Sequence, residues 1–244
     1  MGSAYLSAMI FRYKIADIVF DADIRYRYTY NIMKDYLVDD EPARFSIVIT
    51  DEDIENEKKL SPHSLSDPSY ECTAVYRKYI YEVLDKYDAF FFHCSSIEVD
   101  GKAIMFTAKS GTGKSTHRNL WMKNFGDRVK IINDDKPIIR KVDGVFYVYG
   151  TPWRGKEAMG ENVKVPAKAL CFLSRAEKNS IGSISTSEVV ARALNQTVRP
   201  SDAGLMGKLL DLLDGFLQQV KCYDLRVNMD DEAAITAYNE IMKE

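Results

Sequence analysis

Lys-Ala-Ile-Met-Phe-Thr-Ala-Lys-Ser-Gly-Thr-Gly-Lys-Ser-Thr-His (Lys102 to His117), followed by a helical stretch and then Lys-Ile-Ile-Asn-Asp-Asp (Lys130 to Asp135), decides the fold. It reads as strand, glycine loop, helix, strand, acidic pair. The apolar run Ala103 to Phe106 is short and follows the turn-forming Asp100-Gly101, as a buried strand should. Gly111 and Gly113 allow backbone angles at which successive N–H groups point into one concavity. Lys114 adds a positive charge at the rim, and Ser115 adds a hydroxyl suited to Mg²⁺. The helix behind them turns its positive dipole end toward the same spot. Ser110, Gly111, Thr112, Gly113, Lys114, Ser115 and Thr116 thus describe a cradle for the β- and γ-phosphates of a nucleotide such as ATP. The strict pattern G-x-x-x-x-G-K-[ST] fails at one place, where Ala108 replaces the first glycine.

Working outward, Val129 to Ile132 reads as the next strand, and Asp134 and Asp135 follow it. A triphosphate needs Mg²⁺ across its oxygens, with ligands from the loop hydroxyl and from a carboxylate at a neighbouring strand end. Ser115 and one carboxylate of the pair are the candidate metal ligands, and the other carboxylate is a candidate base for an attacking hydroxyl. His93 closes the Phe-rich run before the loop and joins the candidate catalytic residues. His117, in the first helical turn, reads as a packing residue. The turn Thr151-Pro-Trp-Arg-Gly-Lys-Glu carries Arg154 and Lys156, cations of the kind phosphoryl transfer uses, and Trp153 argues that the turn is partly buried.

Before the loop, Ala8 to Phe20 reads as a strand or hairpin, and Arg25 to Tyr30 alternates at period two like a half-exposed strand. Arg44 to Thr50 is a strand, Asp51 to Lys59 a solvated helix or loop, and Leu60 to Ser69 a surface loop. Cys72 to Tyr87 is an amphipathic helix, and Ala89 to His93 a buried strand. After the acidic pair, a hairpin crosses Asp143-Gly144 and Ala167 to Leu173 forms a strand. Ser185 to Glu188 reads as a capping box that opens a helix to Val198. A helix over Leu205 to Val220, a strand over Cys222 to Val227 and a helix over Asp230 to Glu244 complete the chain. Interleaved strands and helices with inserted hairpins predict an α/β class with a mixed sheet flanked by helices, in a phosphate-loop domain over 89–244. Residues 1–88 form an α+β segment of their own.

The 244 residues carry a formal net charge of −3, and their Lys and Arg are spread rather than striped, which excludes a duplex-binding surface. Cys72, Cys94, Cys171 and Cys222 are far apart and read as reduced thiols. No stretch reads as a signal peptide or membrane span, so the expectation is a cytoplasmic protein with no membrane partner.

His-Cys-Ser-Ser-Ile (His93 to Ile97), Phe-Thr-Ala-Lys-Ser-Gly-Thr-Gly-Lys-Ser-Thr (Phe106 to Thr116) and Asn-Asp-Asp (Asn133 to Asp135) resemble the phosphoenolpyruvate-carboxykinase-like P-loop superfamily. The chain's size and its Gly-Thr-Pro-Trp turn resemble the HPr serine kinase/phosphorylase branch within it, and small bacterial members of that kind. The resemblance covers Ala89 to Glu244. It implies a kinase using ATP and Mg²⁺ to phosphorylate a hydroxyl, a serine of a protein or peptide, with Asp135 as the metal-associated carboxylate. It also implies a base from the Asp134–Asp135 pair, His93 near the transferred phosphate, and a homo-oligomer. The chain is too short for a carboxykinase substrate domain. A nucleotide-binding sensor and a small-metabolite kinase are the alternative functions.

Overall fold

The computed structural model describes residues 5–243. It divides the chain into two compact units, Met1–Val83 and Leu84–Glu244.

In the first unit, β1 (Tyr5–Ile15) and β2 (Ile18–Tyr26) form an antiparallel hairpin. Its two turn residues, Ala16 and Asp17, both have positive φ (51° and 61°), the mirror-image turn that matches strand twist. The chain then departs from the strand predicted over Arg25 to Tyr30: β2 ends at Tyr26 and α1 (Arg27–Met33) begins. The cause is tertiary. Glu71, fully buried on α3 (Asp67–Lys86), accepts from the backbone N–H of Arg25 and Tyr26 and from the Thr29 hydroxyl at 2.7, 3.1 and 2.6 Å. A carboxylate at the start of α1 satisfies donors that a continuing strand would have left buried and unpaired. β3 (Phe45–Val48) pairs parallel to β2. α2 (Asp51–Leu60) starts with a capping box between Thr50 and Asp53. α3 starts earlier than its apolar periodicity suggests, with Pro68 at the first turn, where a missing N–H costs nothing. Phe20 lies between Phe45 and Tyr79 at the heart of this unit.

The second unit is built on a mixed sheet with nine strands among the described residues. β5 (Ser95–Val99) and β6 (Lys102–Thr107) make the predicted hairpin, with Asp100 and Gly101 at φ 50° and 73°. β7 (Val129–Asn133) pairs antiparallel to β5. β10 (Lys164–Arg175) runs parallel to β6, and β12 (Lys221–Val227) parallel to β10. β6, β7, β10 and β12 therefore end on one edge. The amino-terminal residues of β10 also pair with β9 (Val145–Tyr149), which continues to β8 (Ile138–Val142) and β4 (Ala89–Phe91). One strand thus serves two parts of the sheet.

Side-chain alternation explains the unbroken apolar runs. Ala103 and Met105 of β6, with Leu170 and Phe172 of β10, pack under α5 (Thr186–Leu194) and α6 (Ala203–Gln219). Ile104 and Phe106, with Ala169, Cys171 and Leu173, pack under α4 (Lys114–Phe125) and α7 (Glu232–Ile241). A sheet covered on both faces needs apolar residues at every position.

Two expectations need correction here. The Ser185 hydroxyl meets the Glu188 side chain rather than a backbone N–H, so the reciprocal capping box does not form. α5 stops at Leu194, and the chain turns so that the Gln196 carbonyl accepts from His93 N–H. β11 (Ser180–Ser183), which no apolar pattern announces, pairs with β12.

Candidate functional site

The carboxyl ends of β6 and β7 bring the glycine loop and the acidic pair together. Gly111 and Gly113 have φ of 78° and 122°, and nothing lies within 4 Å of where a Cβ would be. They are glycines for backbone conformation, not for space, and the loop encloses an open concavity. Gly113 is the N-cap of α4 and supplies no side-chain cap, and no acidic residue occupies the first turn. The first N–H groups of α4 are left as donors for an anion. From behind, Arg175 at the end of β10 donates to the carbonyls of Gly111 and Thr112 at 2.7 and 3.0 Å. That grip fixes the loop from its carbonyl side.

Lys114 bends back over the loop, with Nζ 3.2 Å from the Ala108 carbonyl and 3.3 Å from His93 Nε2. His93 Nδ1 lies 3.1 Å from Asp135 Oδ1. A lysine ammonium can only donate, so Nε2 accepts and Nδ1 carries the proton toward Asp135. The loop lysine, the histidine and the second carboxylate therefore form one connected row. Burial pushes the Asp135 carboxyl up, but the His93 hydrogen bond and the Lys136 charge outweigh it and hold it below the usual carboxylate range.

Asp134 faces different partners. Its Oδ1 accepts from the Ser95 hydroxyl at 2.7 Å, and its Oδ2 lies 2.6 Å from Arg118 Nη1. Ser115 Oγ approaches the same Oδ2 at 3.4 Å. Arg118 is fully buried and also reaches Glu157 at 2.7 Å. The two neighbouring carboxylates are thus divided: Asp134 is ion-paired to a buried arginine, whereas Asp135 is coupled to His93.

Asn133 sets this division. Its Oδ1 accepts from the N–H of Asp135 and Lys136, and its Nδ2 donates to the carbonyl and hydroxyl of Thr151. The first pair turns the chain sharply after β7, and the second fastens the turn beginning at Thr151 beside it. Gly155 on that turn comes so close to Asp135 that a Cβ would sit 2.9 Å from the aspartate's own. Trp153 is buried, as its size suggests. Arg154 is half-buried and Lys156 exposed, and Glu157 is the residue that carries the turn to Arg118. Sequence reasoning passed over Arg118, although it lies one turn after Lys114 and Ser115 on the same helical face.

His117 is a packing residue. It is buried, accepts from Trp121 Nε1 at Nε2 and stacks edge-on against Phe106. Burial pushes its pKa down to about 4. The four cysteines are free. Burial pushes the thiols of Cys94 and Cys171 up and that of Cys222 to about 12, so they stay protonated.

Among the described residues no cluster of three or more His, Cys, Asp and Glu is spaced to hold a metal alone. The donor set nonetheless suits Mg²⁺, which takes few protein oxygens and completes its shell with phosphate and water. Ser115 and Asp134 supply such oxygens side by side, and Asp135 follows in the chain.

The fold and site define a mixed α/β protein with a glycine loop at the carboxyl edge of its sheet. No protein-family model matches the chain, and no curated protein sequence is similar to it. Among solved structures, the HPr(Ser) kinase/phosphatase from Coxiella burnetii aligns at 13% identity and a TM-score of 0.27, over 53% of this chain and 97% of that one. A likeness of that size carries no weight for function, which rests on the geometry of the site. Among the described residues no helix is long and apolar enough to cross a membrane.

Proposed function

We propose that the second unit is a phosphotransferase that moves the γ-phosphate of ATP, with Mg²⁺, to a hydroxyl, a serine of a protein or peptide. The observation that carries this reading is the convergence, on one sheet edge, of the uncapped start of α4, Lys114 and the His93–Asp135 pair. Bound MgATP supplies the transferable phosphoryl group. The loop N–H groups of Ser110 to Thr116 hold its oxygens, and Lys114 neutralises charge at the transferred end. Ser115 and the carboxylate pair hold the metal. Asp134, already paired with Arg118, is poorly placed to take a proton. His93 Nε2, oriented by Asp135, lies beside Lys114 and receives the proton of the incoming hydroxyl. Arg154 and Lys156 lie on the turn that Asn133 fastens beside the pair, within the segment a closing acceptor would press upon.

The test is transfer from γ-labelled ATP to a library of seryl peptides in the presence of Mg²⁺. The reading expects labelled peptide with the intact chain and a loss of about 10²–10⁴-fold in His93→Ala, with ATP binding retained. ATP binding with no transfer to any peptide would favour a nucleotide sensor. Transfer to small hydroxyl metabolites alone would identify a metabolite kinase.

A further inference from the structure

The two carboxylates beside the glycine loop are already matched by protein cations. Asp134 takes the Ser95 hydroxyl on Oδ1 and Arg118 on Oδ2, and Asp135 takes His93 Nδ1 on Oδ1. The remaining oxygen, Asp135 Oδ2, lies 3.2 Å from the ammonium of Lys136. Each carboxylate therefore faces one full positive charge, that of Arg118 or that of Lys136. A divalent cation on the pair would be repelled by both, so one of them has to give way. The two are held very differently. The Arg118 side chain is 0% exposed, lies 2.6 Å from Asp134 and also donates to Asn119 and Glu157. Pulling it away would strand a buried charge. The Lys136 side chain is 37% exposed, its contact is longer, and its stem is a flexible four-carbon chain. What is fixed in Lys136 is the backbone. Its N–H donates to Asn133 Oδ1 at 2.6 Å, its carbonyl accepts from the Thr151 hydroxyl at 2.6 Å, and Pro137 confines it to extended angles. The ammonium can thus swing off Asp135 without disturbing the turn that carries the pair.

We propose that Lys136 is the resident counter-ion of the metal-free site, that it leaves Asp135 when the divalent cation arrives, and that it thereby ties metal entry to the nucleotide. Without nucleotide, the carboxylates and the Ser115 hydroxyl are the only protein oxygens that repay the displacement of Lys136, and Arg118 stays in place beside them. With nucleotide, phosphate oxygens complete the metal's shell, and the charge of the triphosphate offsets the cations around the pair. The nucleotide-free chain therefore holds a divalent cation weakly, and the metal enters with ATP rather than ahead of it. Lys136 is a positioning residue in this account: it acts through Asp135 and sets the affinity of the pair for metal.

The proposal rests on the phosphotransferase reading for its metal, and a titration without nucleotide separates the two. Mn²⁺ stands in for Mg²⁺, and the loss of its free-ion paramagnetic resonance signal reports binding to the nucleotide-free protein. The variants are Lys136→Met, which removes the charge; Lys136→Arg, which keeps it; and Lys130→Met, which removes an exposed charge from β7 as a control. Thermal unfolding shows that each is folded. Lys136→Met should bind Mn²⁺ at least about fivefold more tightly than the intact chain. Lys136→Arg should bind it no more tightly than the intact chain, and Lys130→Met should stay within about twofold of it. An affinity in Lys136→Met no tighter than that of the intact chain, whether both bind Mn²⁺ or neither does, overturns the counter-ion role. So does an equal gain in Lys130→Met, which would make the effect one of general charge. Either result leaves the phosphotransferase reading standing, whereas an intact chain that binds no MgATP overturns that reading and the role of Lys136 with it.

Discussion

Breaking the Arg118–Asp134 pair should be among the most damaging single changes in the second unit. The arginine side chain is 0% exposed and the aspartate 7%, at 2.6 Å, so neither charge can fall back on water. Removing one partner of such a pair costs about 3–5 kcal/mol, because the other remains buried and uncompensated. Of the other partners of Arg118, Asn119 accepts from it but carries no charge, and Glu157 has a half-exposed side chain and adds little. For a unit of this size about 1 kcal/mol lowers Tm by roughly 2–4 °C, so Arg118→Met and Asp134→Asn should each lower it by about 6–20 °C. The decisive assay is a double-mutant cycle by urea unfolding on Arg118→Met, Asp134→Asn and the double variant. Removing both charges restores an electrically balanced interior, so the double variant should be more stable than the sum of the singles by about 1.5 kcal/mol or more. Additivity within about 0.5 kcal/mol would mean that the two charges are not coupled, and the separation of roles between Asp134 and Asp135 would fall.

Other predictions follow from the same contacts. Gly155→Ala and Gly111→Ala both force a side chain onto a left-handed backbone (φ 74° and 78°) and should each cost about 1–2 kcal/mol. Gly155→Ala also presses on Asp135, so it should slow phosphoryl transfer beyond what its stability loss explains. The depressed pKa of Asp135 stabilises the folded state above the ordinary carboxylate pKa, and this contribution disappears as pH falls through the folded value. The stability gap between the intact chain and Asp135→Asn, measured by denaturant unfolding, should therefore be full at pH 7 and close as the pH drops below about 4. Glu71→Gln replaces a buried acceptor of three hydrogen bonds with an amide that can accept at only one end. It should destabilise the first unit by about 2–3 kcal/mol, read as faster amide exchange over α1.

Much of the second unit was legible because its signals are local. Asp100-Gly101 and Asp143-Gly144 are turn pairs whose residues all take positive φ, and the apolar runs between them are the strands. The glycine loop and acidic pair were readable for the same reason: conformation and chemistry lie within a few residues of each other. The departures come from contacts distant in sequence. The alternation of Arg25 to Tyr30 points to a strand, but Glu71, far along the chain, supplies the acceptors that start a helix. β11 exists because β12 presents an edge to pair with, and nothing in Ser180 to Ser183 announces it. Arg175 acts on backbone carbonyls, which no residue pattern displays. Arg118 was readable in principle, since helical spacing places it below Lys114 and Ser115, but its partner Glu157 comes from a turn beyond the next hairpin.

The most direct test of the central claim is a calorimetric titration of MgATP into the intact chain and into Lys114→Ala. Loss of a charge-assisted contact of about 1.5–3 kcal/mol should weaken binding by roughly 10- to 150-fold while leaving thermal unfolding unchanged. Binding by the intact chain that collapses in Lys114→Ala is the predicted result. A folded intact chain that binds no MgATP, or binds it equally well without Lys114, would contradict the assignment of the glycine loop as a nucleotide site.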